Sequence, residues 1–118
     1  MTFVKINGTK YPAAIKGMVA DQEWDGRESK AITLEMDYAT AVSLFVNGLP
    51  WSIVHQQEVP VFDENGVQTG TQVQETEYDN SEYDVAGPIT DHRNGIITAK
   101  MGKITDGEAL AELMEVLA

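Results

Sequence analysis

The chain has 118 residues, a net charge of −11 at pH 7 and no cysteine. We expect one domain, residues 1–118, and the missing thiols exclude disulfides, iron–sulfur clusters, thiolate zinc sites and cysteine nucleophiles. No apolar run approaches the ~18 residues of a membrane helix, and no basic segment followed by an apolar core indicates a signal peptide, so we expect cytoplasmic folding and no membrane partner.

The first 30 residues predict a hairpin followed by a loop. In "FVKINGTKYPAAIKG" apolar residues alternate around Asn7-Gly8, which is typical of a tight β-turn. Pro12 has no N–H to donate, so the second strand is expected to lie at a sheet edge at that point. Residues 21–30 are polar and predict a loop.

A strand and a helix follow. Residues 30–37 have the period of two that is typical of a half-buried strand, with Ile32, Leu34 and Met36 on one face. Helical spacing then begins, with Asp37 as the predicted N-cap and Asn47-Gly48 at the end. The apolar face of this helix would comprise Tyr38, Ala41, Val42 and Phe45.

The second half predicts further strands. Residues 49–59 return to a β pattern, residues 71–78 suit an exposed edge strand, and Asn65-Gly66 provides the turn between them. The next two strands would be joined at Asn94-Gly95. One would carry Tyr83, Val85, Gly87 and Ile89 on a single face, and the other Ile97, Ala99 and Met101.

The C-terminus predicts a second helix. Thr105 and Glu108 form a capping box, and Leu110, Leu113, Met114 and Leu117 repeat as one apolar stripe that we expect to dock on the sheet. The predicted fold class is therefore α+β: one mainly antiparallel sheet of about six or seven strands, covered on one face by two short helices, the second C-terminal.

The negative charge lies in the middle of the chain. Residues 31–92 contain eleven acidic residues and no lysine or arginine. Such a surface repels phosphate backbones, so we expect no nucleic-acid partner. It is typical of a solvated acidic face, and it also suits a basic partner or a cation.

The stretch "YDNSEYD" offers oxygen ligands for calcium within a few residues. The candidates are Asp79, Asn80, Ser81, Glu82 and Asp84. The glycine and glutamate spacing of an EF-hand is missing, and a turn stabilised by the aspartate side chain explains the same residues, so we favour no metal site.

Asp91, His92 and Arg93 resemble a catalytic cluster, but they directly precede the Asn94-Gly95 turn. We therefore expect a solvent-facing hairpin tip without catalysis. His55 and His92 are the only histidines and have no spacing typical of a metal site. Trp24 and Trp51 are expected to pack in or beside the core. We find no nucleotide-binding or nucleophile motif, and expect no cofactor and no enzymatic activity.

Residues 76–103, "TEYDNSEYDVAGPITDHRNGIITAKMGK", resemble a segment found in small proteins encoded in the tail-gene region of Firmicutes phages and prophages. The opening "F-x-I-N-G-x-x-Y-P", the helix ended by Asn-Gly before "x-W-S-I-V", and the short C-terminal helix are similar too. The resemblance implies an accessory or structural protein of the virion, and it brings no catalytic residues.

We therefore expect a phage- or prophage-derived protein of the tail or baseplate region that acts through contacts with other phage structural proteins or with itself. The edge "VQTGTQVQET" suits strand addition, because unpaired backbone groups there can continue a β-ladder. Its location would be the cytoplasm of the bacterial host or the virion. The alternative is an acidic module that binds calcium or another small ligand.

Overall fold

The computed structural model describes residues 1–117, with the side chains of residues 1–114. The strands are β1 (Thr2–Ile6), β2 (Thr9–Asp21), β3 (Arg27–Glu35), β4 (Trp51–Phe62), β5 (Gln68–Asp79), β6 (Val85–Asp91) and β7 (Ile96–Gly102); the helices are α1 (Tyr38–Leu44) and α2 (Asp106–Leu117). The seven strands form one antiparallel sheet in the order β5-β4-β1-β2-β3-β7-β6, which confirms the predicted α+β class.

Strand β2 joins the two halves of this sheet. Its residues Thr9–Pro12 pair with β1, whereas Ala13–Asp21 pair with β3. Pro12 therefore lies where β2 has a registered partner on one side only, as its missing N–H requires. The hairpin before it is also as predicted, since Asn7 and Gly8 take φ values of 52° and 82°.

The core lies on one face of the sheet. The buried side chains that form it come from four strands, from α1 and from two connecting segments: Val4, Ile6, Ile32, Leu34, Ala41, Phe45, Leu49, Trp51, Ile53, Tyr83, Ile97, Ala99 and Met101. Trp51 is 2% exposed, and its indole Nε1 donates to the carbonyl of Tyr83 at 2.9 Å. The predicted inward face of β7 is confirmed.

The opposite face carries Trp24, which packs on two glycines. A Cβ at Gly102 would lie 2.8 Å from Cζ3 of Trp24, and one at Gly87 would lie 2.6 Å from Cη2 of that ring. The guanidinium carbon of Arg27 lies 4.8 Å from the ring centroid. These positions need glycine because the indole occupies the space of a side chain.

The predicted loop at residues 21–30 is wrong. β2 continues to Asp21, a 3₁₀ turn covers Gln22–Trp24, and β3 already begins at Arg27. The polar composition is misleading because these side chains satisfy one another: the Asp21 carboxylate accepts from Ser29 at 3.2 Å and from Lys100 at 2.8 Å.

The predicted single face of Tyr83, Val85, Gly87 and Ile89 is also wrong. β6 begins only at Val85, and its register with β7 shifts between Ala86 and Ile89. The extra residue makes Ala86 and Ile89 the pair that packs against the core. A period of two cannot persist through such a bulge.

The two helices are placed differently from the prediction. Asp37 caps α1 by accepting from the amide of Thr40 at 2.7 Å, as predicted, and Ala41 and Phe45 are buried. Tyr38 and Val42 are instead about half exposed. Only α1 covers the core, because every described side chain of α2, residues 106–114, is exposed. The expected docking of the C-terminal stripe on the sheet is wrong for Leu110, Leu113 and Met114, and the side chain of Leu117 lies outside the described residues.

Candidate functional site: an exposed hairpin arm and an exposed helix

The outer part of the β4–β5 hairpin extends beyond the rest of the sheet. Registered pairing of β4 with β1 ends at His55, and two further hydrogen bonds join the main chains of Gln56 and Met1. Within the described residues, the part of β4 after Gln56 pairs with β5 alone. We call residues 57–74 the arm. It makes the molecule elongated, with a radius of gyration of 18.4 Å against about 13 Å for a compact domain of this length.

The arm exposes apolar and acidic side chains together. Phe62, Val67 and Val73 are each more than half exposed. Glu58, Asp63 and Glu64 carry its charge, and it contains no lysine or arginine. A two-stranded ribbon of this kind has little stability of its own, so it is held by its base and is free to meet a partner along its length.

The base of the arm is fixed by ion pairs across three strands. Lys5 of β1 contacts Glu77 of β5 at 3.1 Å, and Lys10 of β2 bonds Glu75 of β5. These lysine hydrogen bonds lower the pKa of both glutamates. The pairs orient the start of the arm relative to the sheet.

The tip of the arm is the Asn65-Gly66 turn predicted from the sequence. The side chain of Asp63 organises it, since one carboxylate oxygen accepts from the amides of Asn65 and Val67 at 2.9 Å each. This bonding fixes the aspartate as part of the turn.

Helix α2 presents the second exposed apolar surface. Leu110, Leu113 and Met114 are 57%, 56% and 62% exposed. The spacing that predicted a buried stripe is therefore correct as a helix pattern, but the stripe faces solvent in the isolated chain. Apolar side chains grouped this way mark an interaction surface more often than single exposed residues do.

The start of α2 is tethered to the sheet at one point. The Arg27 guanidinium donates to the Glu108 carboxylate at 2.7 Å and to the carbonyl of Lys103 at 2.8 Å. Thr105 and Glu108 form the predicted capping box, with bonds of 2.9 and 3.2 Å. Arg27 and the capping bonds lower the pKa of Glu108 from 4.5 to about 2.

Two polar clusters lie on the sheet, and no local sequence pattern predicts either of them. On the Trp24 face, Asp21 is 2% exposed and its pKa is lowered by Lys100, which also contacts Glu23 at 3.1 Å. The two ends of this cluster are 79 residues apart in the sequence. Its groups are mutually satisfied, which is typical of a structural network.

The second cluster surrounds Tyr83 on the core side. The Tyr83 hydroxyl donates to Glu28, and the ammonium groups of Lys30 and Lys103 lie 4.8 and 5.0 Å from its ring centroid. Burial, and then the bond to Glu28, raises the pKa of Tyr83. A tyrosine held protonated and hydrogen-bonded is a packing element and a weak nucleophile.

The calcium candidates do not converge on one point. One oxygen of Asp79 accepts from the amide and hydroxyl of Ser81 at 3.0 and 2.6 Å. These bonds form the aspartate-stabilised turn that was the alternative to a calcium site. Asn80 is 2% exposed, and its side-chain oxygen accepts from Lys30 at 2.6 Å. Glu82 lies 3.6 Å from Lys103, and the backbone carbonyl of Asp84 accepts from Gly48. Within the described residues no three histidine or acidic side chains are grouped as metal ligands.

The cluster that resembled a catalytic site is a hairpin tip, as predicted. Asp91, His92 and Arg93 are all exposed, and Asp91 accepts from the amide of Arg93 at 2.8 Å. Arg93 and Gly95 have positive φ, of 60° and 86°. His92 contacts the hydroxyl of Thr98 at 2.8 Å.

Two grooves along the sheet offer little chemistry. An apolar groove of about 510 Å³ lies between β2 and β3, and its lining includes one carboxylate, that of Glu35. A second, also of about 510 Å³, includes Lys30 and His55, and His55 is bonded to the hydroxyl of Thr2 at 3.0 Å. In the second groove Lys30 is likewise bonded, to the side-chain oxygen of Asn80 at 2.6 Å.

The described helices are all too short or too polar to cross a membrane. A scan of protein-family models finds no match to the chain, and neither the curated proteins nor the solved structures yield one.

Proposed function

We propose that this chain is a structural or accessory protein of a phage or prophage, from the tail or baseplate region, and that it acts through protein–protein contacts without catalysis. The observation that supports this best is the arm: an 18-residue two-stranded extension whose residues are mostly exposed and whose base is fixed by ion pairs. An extended hairpin that contributes little to its own core is suited to reaching a neighbouring subunit.

The exposed stripe of α2 supports the same function. Three adjacent apolar side chains on a short helix gain stability when a partner covers them, because burial removes their surface from water. The partners would be other phage structural proteins or further copies of the chain. The protein would be made in the cytoplasm of the bacterial host and be carried into the virion.

The alternative function, binding calcium or a small ligand through the acidic residues, has less support. The oxygens of Asp79 and Asn80 already accept hydrogen bonds from Ser81 and Lys30. A cation would have to displace these bonds before it gained ligands.

The test is incorporation into particles. In the bacterium that carries the gene, the prophage is induced, particles are purified on a density gradient, and the chain is detected by antibody. We expect it to band with the tails. A gene neighbourhood without phage genes, or absence of the chain from particles and from tail subassemblies, contradicts the proposal.

A shortened arm provides the matched variant. Glu58 lies directly opposite Val73, so replacing residues 59–72 by Asn-Gly closes the hairpin in its own register. The core contacts are untouched, and the circular dichroism spectrum should remain that of a folded protein. We expect this variant to express normally and to be lost from the particles.

A further inference from the structure

The two edges of the sheet are protected to different degrees. Edge strand β6 has seven residues, contains Pro88 and carries a register shift. Edge strand β5 has twelve residues, without proline or lysine, and its pairing with β4 is regular from Gly70 to Asp79, with one register shift between Gly70 and Gln68. Proline, lysine and bulges are the features that keep edge strands from pairing with other chains. β6 has a proline and a register shift within seven residues, whereas β5 lacks proline and lysine and has its register shift beside its first residues.

The charges of β5 are unevenly distributed. Its first seven residues, Gln68–Gln74, are uncharged, and its acids, Glu75, Glu77 and Asp79, lie in the last five. Val73 is the only aliphatic side chain of the strand, and it is 61% exposed. The first half of the strand is therefore neutral and the second half is acidic.

We propose that β5 pairs with β5 of a second copy, antiparallel about a two-fold axis through Val73. This inference deepens the proposed function, on which it rests, by naming one partner. The two-fold axis that relates the two copies of the strand is perpendicular to the sheet. It therefore pairs each residue with one whose number has the same parity, and the residue at the axis lies opposite its own copy. In this register the two Val73 side chains meet at the axis.

Charge distribution favours a second copy as the occupant. With Val73 on the axis, Glu75 lies opposite Thr71 of the other copy, and Glu77 lies next to the register shift at Thr69. The Glu75 carboxylate thus faces a hydroxyl donor, and the uncharged half of one strand covers the acidic half of the other. Lys10 and Lys5 already neutralise these two glutamates within their own chain.

The other edge limits the assembly to a closed dimer. A head-to-tail array would require β5 to pair with β6, which Pro88 and the register shift oppose. A two-fold β5 contact uses the same edge on both copies and closes after two. The product is a continuous sheet of twice seven strands, in which the two arms point in opposite directions and each lies beside the acidic half of β5 in the other copy.

Two variants of opposite charge at Thr71 test the register, with the dissociation constant measured by sedimentation equilibrium. Thr71→Glu places a glutamate opposite Glu75 in each of the two symmetric pairs. We expect the dissociation constant of the dimer to rise about 2- to 30-fold. Thr71→Lys places an ammonium there instead and should leave the dissociation constant unchanged or lower it. Equal weakening by both variants, or no effect of Thr71→Glu, overturns the proposal.

Cross-linking tests the axis, and the chain has no cysteine to interfere. Opposite Cα atoms of antiparallel strands are about 4.5–5.5 Å apart, within disulfide range. Val73→Cys should form a covalent dimer on mild oxidation. Thr69→Cys is the control, since its two copies would lie about 26 Å apart along the strands. Equal cross-linking of the two variants overturns the inference.

The dimer and the proposed function fail in distinguishable ways. If the wild-type chain sediments as a monomer up to sub-millimolar concentration, the β5 dimer is wrong even where the chain bands with tails. If it dimerises and Val73→Cys cross-links as expected but particles lack the chain, the phage function is wrong and the dimer stands.

Discussion

The two helices begin alike and end in different environments. Each has a side-chain cap at its N-terminus, Asp37 in α1 and Thr105 in α2, and each carries apolar residues at helical spacing. Phe45, directly after α1, is 4% exposed, whereas Leu113 of α2 is 56% exposed. The comparison teaches that an amphipathic pattern determines that a helix forms and which side is apolar, but not what covers that side.

The largest effect should come from the packed helix. Phe45→Ala removes a buried ring from the core cluster, and we expect a loss of ~3–5 kcal/mol in the free energy of unfolding because of lost burial and the cavity left behind. Urea denaturation followed by circular dichroism measures it. A loss below ~1 kcal/mol would mean that α1 contributes no more to the core than an exposed helix does.

The turn that precedes β7 should come next. Gly95 has a φ of 86°, and its carbonyl accepts from the amide of Met36, just before α1. Gly95→Val is expected to cost ~1–3 kcal/mol, because a β-branched residue is strained at positive φ. His92→Ala, at an exposed position of the same turn, is the control and should change stability by less than about 0.5 kcal/mol. A larger loss at His92 than at Gly95 contradicts this assignment of the turn.

The exposed helix should respond little. Leu113→Ala is expected to change the unfolding free energy of the monomer by less than about 0.5 kcal/mol, as at other surface positions. The same urea titration measures both losses in unfolding free energy, so the difference between Phe45→Ala and Leu113→Ala compares the packed helix directly with the exposed one. A loss of ~2–5 kcal/mol, typical of a buried leucine, would place the stripe against the sheet after all.

The smallest effect is local and depends on pH. The pKa of Glu108 is lowered from 4.5 to about 2, first by Arg27, so this carboxylate stabilises the tether of α2 above pH ~4.5 and loses that contribution as the pH falls towards 2. Carboxyl NMR of Glu108 should titrate with a midpoint near 2. In Arg27→Gln the midpoint should rise, and a wild-type midpoint near 4.5 would show that the pair does not form.

The sequence predicts those parts of the fold that depend on neighbours in the chain. The Asn7-Gly8 turn, the Asp37 cap and the inward face of β7 each follow from a few adjacent residues, and all are confirmed. Residues 21–30 are different, because the polar side chains that suggested a loop find partners such as Lys100, far along the chain. Such pairing has no signature in a local window.

The candidate surfaces were only partly predictable. The exposed edge at residues 71–78 is recognisable from its alternating polar residues. The extent of the arm is not, because it depends on β1 being short enough to leave β4 with one partner. The exposure of α2 is likewise a property of the folded chain, since its stripe has the composition of a buried one.

Trp24 and Trp51, the only tryptophans of the chain, lie on opposite faces of the sheet. Trp51 is sealed in the core with its indole N–H bonded to a carbonyl, whereas Trp24 lies on two glycines beneath a guanidinium and remains partly open to water. Their fluorescence therefore separates the two layers without any added label: Trp24→Phe leaves a signal from the core, and Trp51→Phe leaves one from the β2–β3 end. An aqueous quencher would reach the second emitter well before the first, so loosening of that end becomes visible while the core is still intact.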